Sequence, residues 1–396
     1  MGKTLKTTYM IMLKIIIVIA VIFALKWLWV AISTGGQGSF DGEKSEILRR
    51  RNYLADKLIT SPRAVLNEMP DGIGSQFKGE WAIYSCSMFT AALVNIGKLY
   101  PEENEKSVEQ IERLIEIVMS QEFRKYDADR WHEDPLDSLD SDSSHMSYLS
   151  ILAWMMSGYK AVGGGDKYDD LYCQICNTLS RRMRNSPSLN LETYPGEPIY
   201  VPDMLVTIVA LSNFSRQCDR RYNSIIKEWV EKAKTEWIDK DTGLLKSFLS
   251  YDGTEMSSPV RGSYSALICY YLTFIDEDFA KLQYELLKKH FYKNNLFTGI
   301  SEYNDRSCMF GMDIDAGPIL FSLSPSGTAF AIGPATYFND SHFRLHLLKT
   351  AEIFGFTIRG RNTNHYLLAN LALVGEAIAL AMRTSVPWFT ENNNNS

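Results

Sequence analysis

Apolar residues recur at spacings of three and four along nearly the whole chain, and alternating runs long enough for strands are few. That periodicity predicts an all-α fold. Two kinds of helix take turns. One kind is apolar all round, over residues 81–99, 144–162, 203–214, 262–274, 316–337 and 364–382. The other carries charges along one face, over 44–58, 103–120, 168–183, 222–237, 277–291 and 341–354. A helix apolar on every side must be buried, and an amphipathic one covers it. Starts of successive apolar helices lie about 48 to 63 residues apart, the length of one helical hairpin with its connections. Six inner helices ringed by six outer ones predict an (α/α)6 toroid over residues 45–388. The alternative is an open solenoid of helical hairpins, whose repeats are usually shorter and more alike.

Ahead of that pattern, residues 9–32 are almost all apolar, interrupted by Lys14 and Lys26. A helix of this length spans roughly 36 Å, enough to cross a hydrocarbon core of about 30 Å. Lys3, Lys6 and Lys14 lie on its N-terminal side, which predicts a cytoplasmic segment at 1–8 and an exocytoplasmic C-terminal domain. A cleaved signal peptide is the competing reading, since Ser33, Gly35 and Gly36 follow the apolar run. Residues 33–44, rich in Gly and Ser, read as a tether, and 389–396 as a disordered tail.

Composition narrows the partners. The net charge is −6 with acids and bases mixed along the chain, so no basic stripe is available for phosphates and nucleic acid is not an expected partner. The 6 cysteines are too few and scattered for a disulfide framework in a domain this large. Cys173 and Cys176 form a C-x-x-C, but inside an amphipathic segment with no second pair to complete a zinc site. They read as two small apolar residues on a helix, with one disulfide open as an alternative.

In a toroid the inner helices run parallel, so the loops preceding them gather at one rim. The unusual residues fall there. Glu80, Trp81 and Tyr84 open the first inner helix; Asp140, Asp142 and His145 the second; Glu197, Tyr200 and Asp203 the third. Arg261 and Tyr264 open the fourth, Asp313 and Asp315 the fifth, Arg361 and His365 the sixth. Any one acid here is equally well read as a helix N-cap. Convergence of acids, His, Tyr and Trp from six segments is harder to assign to capping alone.

Over residues 80–385 the chain resembles the linalool dehydratase/isomerase family. Tyr84-Ser85 with the small and aromatic residues up to Pro101 is similar to that family's first inner helix. His145, within Ser144-His145-Met146-Ser147-Tyr148-Leu149, matches the position of its catalytic histidine. Tyr222, Trp229, Ile238-Asp239, Gly243, Ser250-Tyr251 and Ser263-Tyr264 follow its order and nearly its spacing, and Arg383 and Pro387 close the match. The resemblance implies a toroid with its pocket at the rim. The family's two active-site cysteines are absent: the connection Tyr194-Pro195-Gly196-Glu197-Pro198-Ile199-Tyr200-Val201-Pro202-Asp203 has Asp203 where one would fall and Glu197 near the other. Asp71 is the candidate for the family's N-terminal aspartate.

Removing water from an alcohol, or cleaving a glycosidic bond, needs an acid for the departing oxygen and a base or nucleophile opposite. The expected catalytic set is His145, Tyr84, Glu197, Asp203, Asp313 and Asp315. His145 leads it because imidazole titrates near neutrality, and Asp313-Ile314-Asp315-Ala316-Gly317-Pro318 reads as two acids on a rigid turn just before a helix. Trp81, Trp131, Tyr200, Arg261, Tyr264 and His365 are the expected substrate contacts, the tryptophans by presenting flat apolar faces. For each aromatic residue and for His145, core packing is the bland alternative.

The loop 126–142 carries Asp127, Asp129, Glu133, Asp134, Asp137, Asp140 and Asp142. It is read as a solvated acidic loop without a cofactor, calcium being the alternative, since the ligand order and glycine of an EF-hand are missing. Gly163-Gly164-Gly165 follows no strand and reads as a flexible turn rather than a phosphate loop. Three functions are consistent with these residues. The first is an exocytoplasmic lyase, isomerase or hydrolase using carboxylates and His145 on a hydroxylated substrate. The second is a membrane-tethered enzyme that trims or modifies a glycan as hydrolase, lyase or epimerase. The third is a non-catalytic subunit of an envelope assembly. Oligomeric state is left open.

Overall fold

The computed structural model describes residues 2–33, 40–67, 76–254, 256, 258–294, 297–305, 308–370 and 372–389. Asp71, half of the expected tether and nearly all of the expected tail lie outside them. The chain is 66% helix and 8% strand, which makes the fold all-α. Helices are α1 (Gly2–Ser33), α2 (Phe40–Ala55), α3 (Pro62–Asn67), α4 (Gln76–Leu99), α5 (Asn104–Val118), α6 (Gln121–Trp131), α7 (Met146–Ala161) and α8 (Asp169–Asn185). The second half adds α9 (Val201–Gln217), α10 (Asn223–Thr235), α11 (Gly262–Leu272), α12 (Glu277–Phe291), α13 (Pro325–Tyr337), α14 (Ser341–Gly355) and α15 (Leu373–Arg383).

Helices α4, α7, α9, α11, α13 and α15 pack each on the next, and α15 packs back on α4, so the inner ring closes. Helices α2, α5, α8, α10, α12 and α14 lie outside them. The open solenoid is thereby set aside. Burial follows the sequence pattern: on α7 every residue from Met146 to Tyr159 is buried, whereas α5 buries one stripe of Ser107, Ile111, Leu114, Ile115 and Val118. The end of the ring away from the helix starts is plugged by Trp388. Its ring stacks on Trp154 at 5.9 Å and meets Phe274 edge-on at 4.9 Å, and its Nε1 donates to Asn95 Oδ1.

The seam between first and last hairpins is polar. Glu43 of α2 accepts from Arg344 of α14 at 2.7 Å and from Arg383 of α15 at 2.6 Å. Arg50 of α2 donates to Glu376 of α15 at 2.6 Å. All are buried; burial pushes the Glu43 carboxyl up, and Arg383 and Arg344 outweigh this and hold it below the usual range. Residues 40–44, expected to belong to the tether, are the first turn of α2 and supply that glutamate.

Four antiparallel two-stranded ladders, which the helical periodicity does not announce, decorate the connections: β1 (Ile199–Tyr200) with β2 (Phe248–Leu249), β3 (Tyr292–Asn294) with β4 (Thr298–Ile300), β5 (Phe310–Asp313) with β6 (Gly317–Leu320), and β7 (Thr357–Arg359) with β8 (Asn364–Tyr366). They correct two helix starts. The fifth inner helix begins at Pro325 rather than 316, because the apolar residues from Ala316 to Leu320 belong to the β5–β6 ribbon. The sixth begins at Leu373 rather than 364.

Among the described residues, Gly79–Leu99 is apolar and long enough to cross a membrane, and 83% of that window is buried inside the ring. It is the ring's core helix. Helix α1 stands outside the ring, with exposed Tyr9, Met12, Val18, Ile22 and Leu28. Its C-terminal third touches the body: Lys26 pairs with Glu352 at 2.7 Å, and Phe23 packs on Phe354 and Phe356.

Candidate functional site

Close approaches of backbone set the mouth of the ring. A Cβ on Gly79 would lie 2.4 Å from the Cβ of Tyr126, so only glycine lets the start of α4 press on α6 and bring Glu80 beside Arg130. A Cβ on Gly262 would lie 1.9 Å from the carbonyl oxygen of Ser301. The missing side chain lets Gly262 N donate to Glu302 O at 2.9 Å, which brings Arg261 and Ser263 onto the Glu302 carboxylate.

Arg261 is the hub of one side. Its Nε donates to the fully buried Glu302 at 2.5 Å, its Nη2 to Asp313 at 2.6 Å, and its Nη1 stands 3.8 Å from Asp315. Asp313 also accepts from the backbone N–H groups of Asp315 and Ala316, both at 2.9 Å. Burial pushes its carboxyl up, but the Ala316 N–H and the Arg261 guanidinium outweigh this and hold it below the usual range. Asp313 is therefore an ionised brace for the turn. Asp315 differs: burial lifts it, while the Tyr264 hydroxyl, donating at 2.7 Å, and Arg261 pull it back only in part.

Across the mouth sit Glu80 and Asp203, and both are protonated far more readily than exposed acids. Burial raises Asp203 to about 7, against a hydrogen bond from Thr193 Oγ1 at 3.0 Å and with help from the charges of Asp315 and Glu197. Burial also raises Glu80 to about 7, with Asp203 adding to it. A bond from Tyr194 and the Arg130 cation, 3.7 Å away, oppose that rise. The Arg130 guanidinium lies over the Tyr194 ring at 3.4 Å, which fixes both. Burial, the first cause for both, thus keeps a proton within reach of each carboxyl near neutral pH.

Tyr200, Phe248 and Tyr264 form an aromatic wall beside these acids, each ring edge-on to the next at 5.2 Å. Pairing of Tyr200 with Phe248 in the β1–β2 ladder sets it. Below, the hydroxyls of Tyr84 and Tyr271 are 3.1 Å apart, and Tyr271 rests on Trp154. Burial, above all, raises the Tyr84 hydroxyl, so it acts as a hydrogen-bond donor rather than a phenolate. Glu197 is exposed on the rim loop, near enough to raise Tyr200 and Asp203.

His145 adjoins this group through α6, where Arg130, the partner of Glu80, also acts on Asp127, the partner of His145. Its ring is fully buried, with Nδ1 2.5 Å from Asp127, Nε2 3.2 Å from Glu133, and Trp131 tilted against it at 5.4 Å. Its backbone is left-handed, φ 45°, an uncommon state for a side chain with a Cβ. His365 lies elsewhere, stacked on Tyr53 at 4.0 Å in the α2 seam. Trp81 is half-buried at the start of α4.

The acidic loop keeps Asp129, Asp137, Asp140 and Asp142 exposed, as expected, and is tied down through its backbone. Arg182 and Arg181 donate to carbonyls of Ser138, Leu139, Ser141 and Ser144. Asp134 pairs with Arg124, Asp129 with Lys125 and Asp142 with Arg181. Among the described residues no group of three or more His, Cys, Asp and Glu is arranged to hold a metal ion. Cys173 and Cys176 are free thiols on α8.

Several residues of the mouth were not expected from sequence: Arg130, Tyr194, Phe248, Tyr271 and Glu302. Aromatic residues inside apolar helices or connections carry no mark that separates lining from core.

No family model matches the chain, and no curated protein matches it. Among solved structures it is similar to a glycoside hydrolase from family 105 of C. acetobutylicum ATCC 824. The TM-score is 0.52 at 10% identity, over 85% of this chain and 98% of that one. At that identity the likeness is one of fold.

Proposed function

We propose that the mouth is the active site of a glycan-processing enzyme in which the Glu80–Asp203 pair gives a proton to the departing glycosidic oxygen. The observation that carries this reading is the lift of both carboxyls to about 7, the range in which a general acid is still charged with its proton near neutrality. Asp315, more open and steered by Tyr264 and Arg261, is the partner that activates water or steadies positive charge on the sugar. The Tyr200–Phe248–Tyr264 wall suits the apolar face of a sugar ring. The fold shared with a glycoside hydrolase supports hydrolysis as the outcome. His145 is assigned to holding the loop under Trp131.

A second reading, removal of water from an alcohol as in the linalool dehydratase/isomerase family, uses the same proton donor. The Tyr84–Tyr271 floor against Trp154 favours it for a hydrocarbon substrate. We further infer that α1 anchors the protein with the ring outside the cytoplasm, a reading supported by Lys3, Lys6 and Lys14 at its N-terminal end.

The test is incubation of the full-length protein and Asp203→Asn with neutral and uronic oligosaccharides and with a tertiary allylic alcohol. New reducing ends from the wild type and not from Asp203→Asn are expected. Alkene without reducing ends selects the second reading, and equal activity of the two proteins rejects the site.

A further inference from the structure

The β5–β6 ribbon and the turn after it expose apolar side chains that the ring does not need. Met312 is 80% exposed, Phe310 62% and Phe321 49%. Phe321 and the next residue, Ser322, both hold left-handed φ, 54° and 67°, so the backbone takes an unfavoured conformation while leaving a phenyl ring in solvent. Exposed apolar groups that are contiguous mark a binding surface.

What lies beside the patch identifies its occupant. Phe310 packs on Phe321 at 5.3 Å, Phe321 on Phe297 at 6.2 Å, Phe297 on Phe354 at 4.7 Å, and Phe354 on Phe23 of α1 at 6.0 Å. The patch is thus continuous with the apolar N-terminal helix. The length of that helix adds a constraint. From Tyr9 to Ile22 the apolar run covers about 21 Å, short of a hydrocarbon core of about 30 Å. The rest of the apolar run, which begins at Phe23, is the part docked on the aromatic chain. If α1 spans, the aromatic chain lies at membrane depth with it. Lys26, on the same docked part of α1, is neutralised by Glu352.

We propose that the β5–β6 ribbon with Phe321 is a wedge that seats in the lipid bilayer beside α1, so that this side of the ring rests on the membrane. The proposal rests on α1 being an anchor. Its consequence concerns the site: the turn of the same ribbon carries Asp313 and Asp315, so the wedge holds the carboxylate mouth next to the head-group layer.

The full chain, reconstituted in phosphatidylcholine/phosphatidylglycerol nanodiscs, carries photoreactive benzoylphenylalanine at Met312, at Val18 on α1, or at exposed Gln174 on the distant α8. Met312 and Gln174 are solvent-facing, so the fold tolerates the label, and circular dichroism checks it. Lipid adducts at Met312 at least about tenfold above those at Gln174 are expected, as for any interfacially buried side chain. Adducts at Val18 but not at Met312 overturn the wedge and leave the anchor. Adducts at neither position overturn both. A crosslink from Met312 to a second copy of the chain also overturns the wedge.

Discussion

Asp203 on α9 raises the pKa of Glu80 on α4, and the pair sits in one mouth although the two residues belong to different hairpins of the ring. Ring closure makes them neighbours. Burial, the larger cause for each, then leaves them competing to stay neutral. Four predictions follow from that pair and from the groups braced around it.

Turnover should depend on the shared proton. With both groups lifted to about 7, kcat/KM should fall as pH rises through about 7 as the donor ionises. Asp203→Asn should lower kcat by about 10²- to 10⁴-fold, the usual weight of a general acid. A pH–rate profile of both proteins checks this.

Stability should move the other way in that variant. A carboxyl whose folded pKa is raised favours the fold fully below its unfolded value near 4, and that advantage is lost as pH rises through about 7. Asp203→Asn cannot ionise. It should match the wild type's stability at about pH 4 and exceed it at pH 8 by on the order of 1–3 kcal/mol, read as a higher melting temperature.

Tyr264→Phe removes the hydroxyl that holds Asp315 down. The Asp315 pKa should rise, the acidic limb of the rate profile should shift to higher pH, and kcat should drop about tenfold. Arg261→Ala is a different lesion. It strands Glu302, fully buried, and should cost about 3–5 kcal/mol of stability, read as a lower melting temperature.

The helices were legible in the sequence because burial all round and burial on one stripe leave different patterns over a dozen residues. The ladders were not: strands as short as Ile199–Tyr200 offer too few positions for alternation to register. The apolar run after Asp315 therefore read as helix up to Pro325. Within the mouth, Asp203, Asp315, Tyr200, Tyr264 and Tyr84 were visible as polar or aromatic groups at helix starts, and Glu80 was noticed without a role. Arg130 was hidden because its helix, α6, belongs to neither class in the repeat. His145 stands at an inner-helix start as expected, but sequence position does not disclose that its left-handed backbone turns the ring toward Asp127 and Glu133.

That placement makes its own prediction. His145→Ala leaves Asp127 buried without its partner and should lower stability by about 2–4 kcal/mol. The kcat of the protein that remains folded should stay within about threefold of the wild type, as active-site titration would measure.

Isotope-edited infrared titration of the carboxyl groups, wild type minus Asp203→Asn, reads the proton directly. A protonated-carboxyl band present at pH 6 that disappears as pH passes about 7 is the result this account predicts. Complete ionisation of both groups already at pH 5 would contradict it.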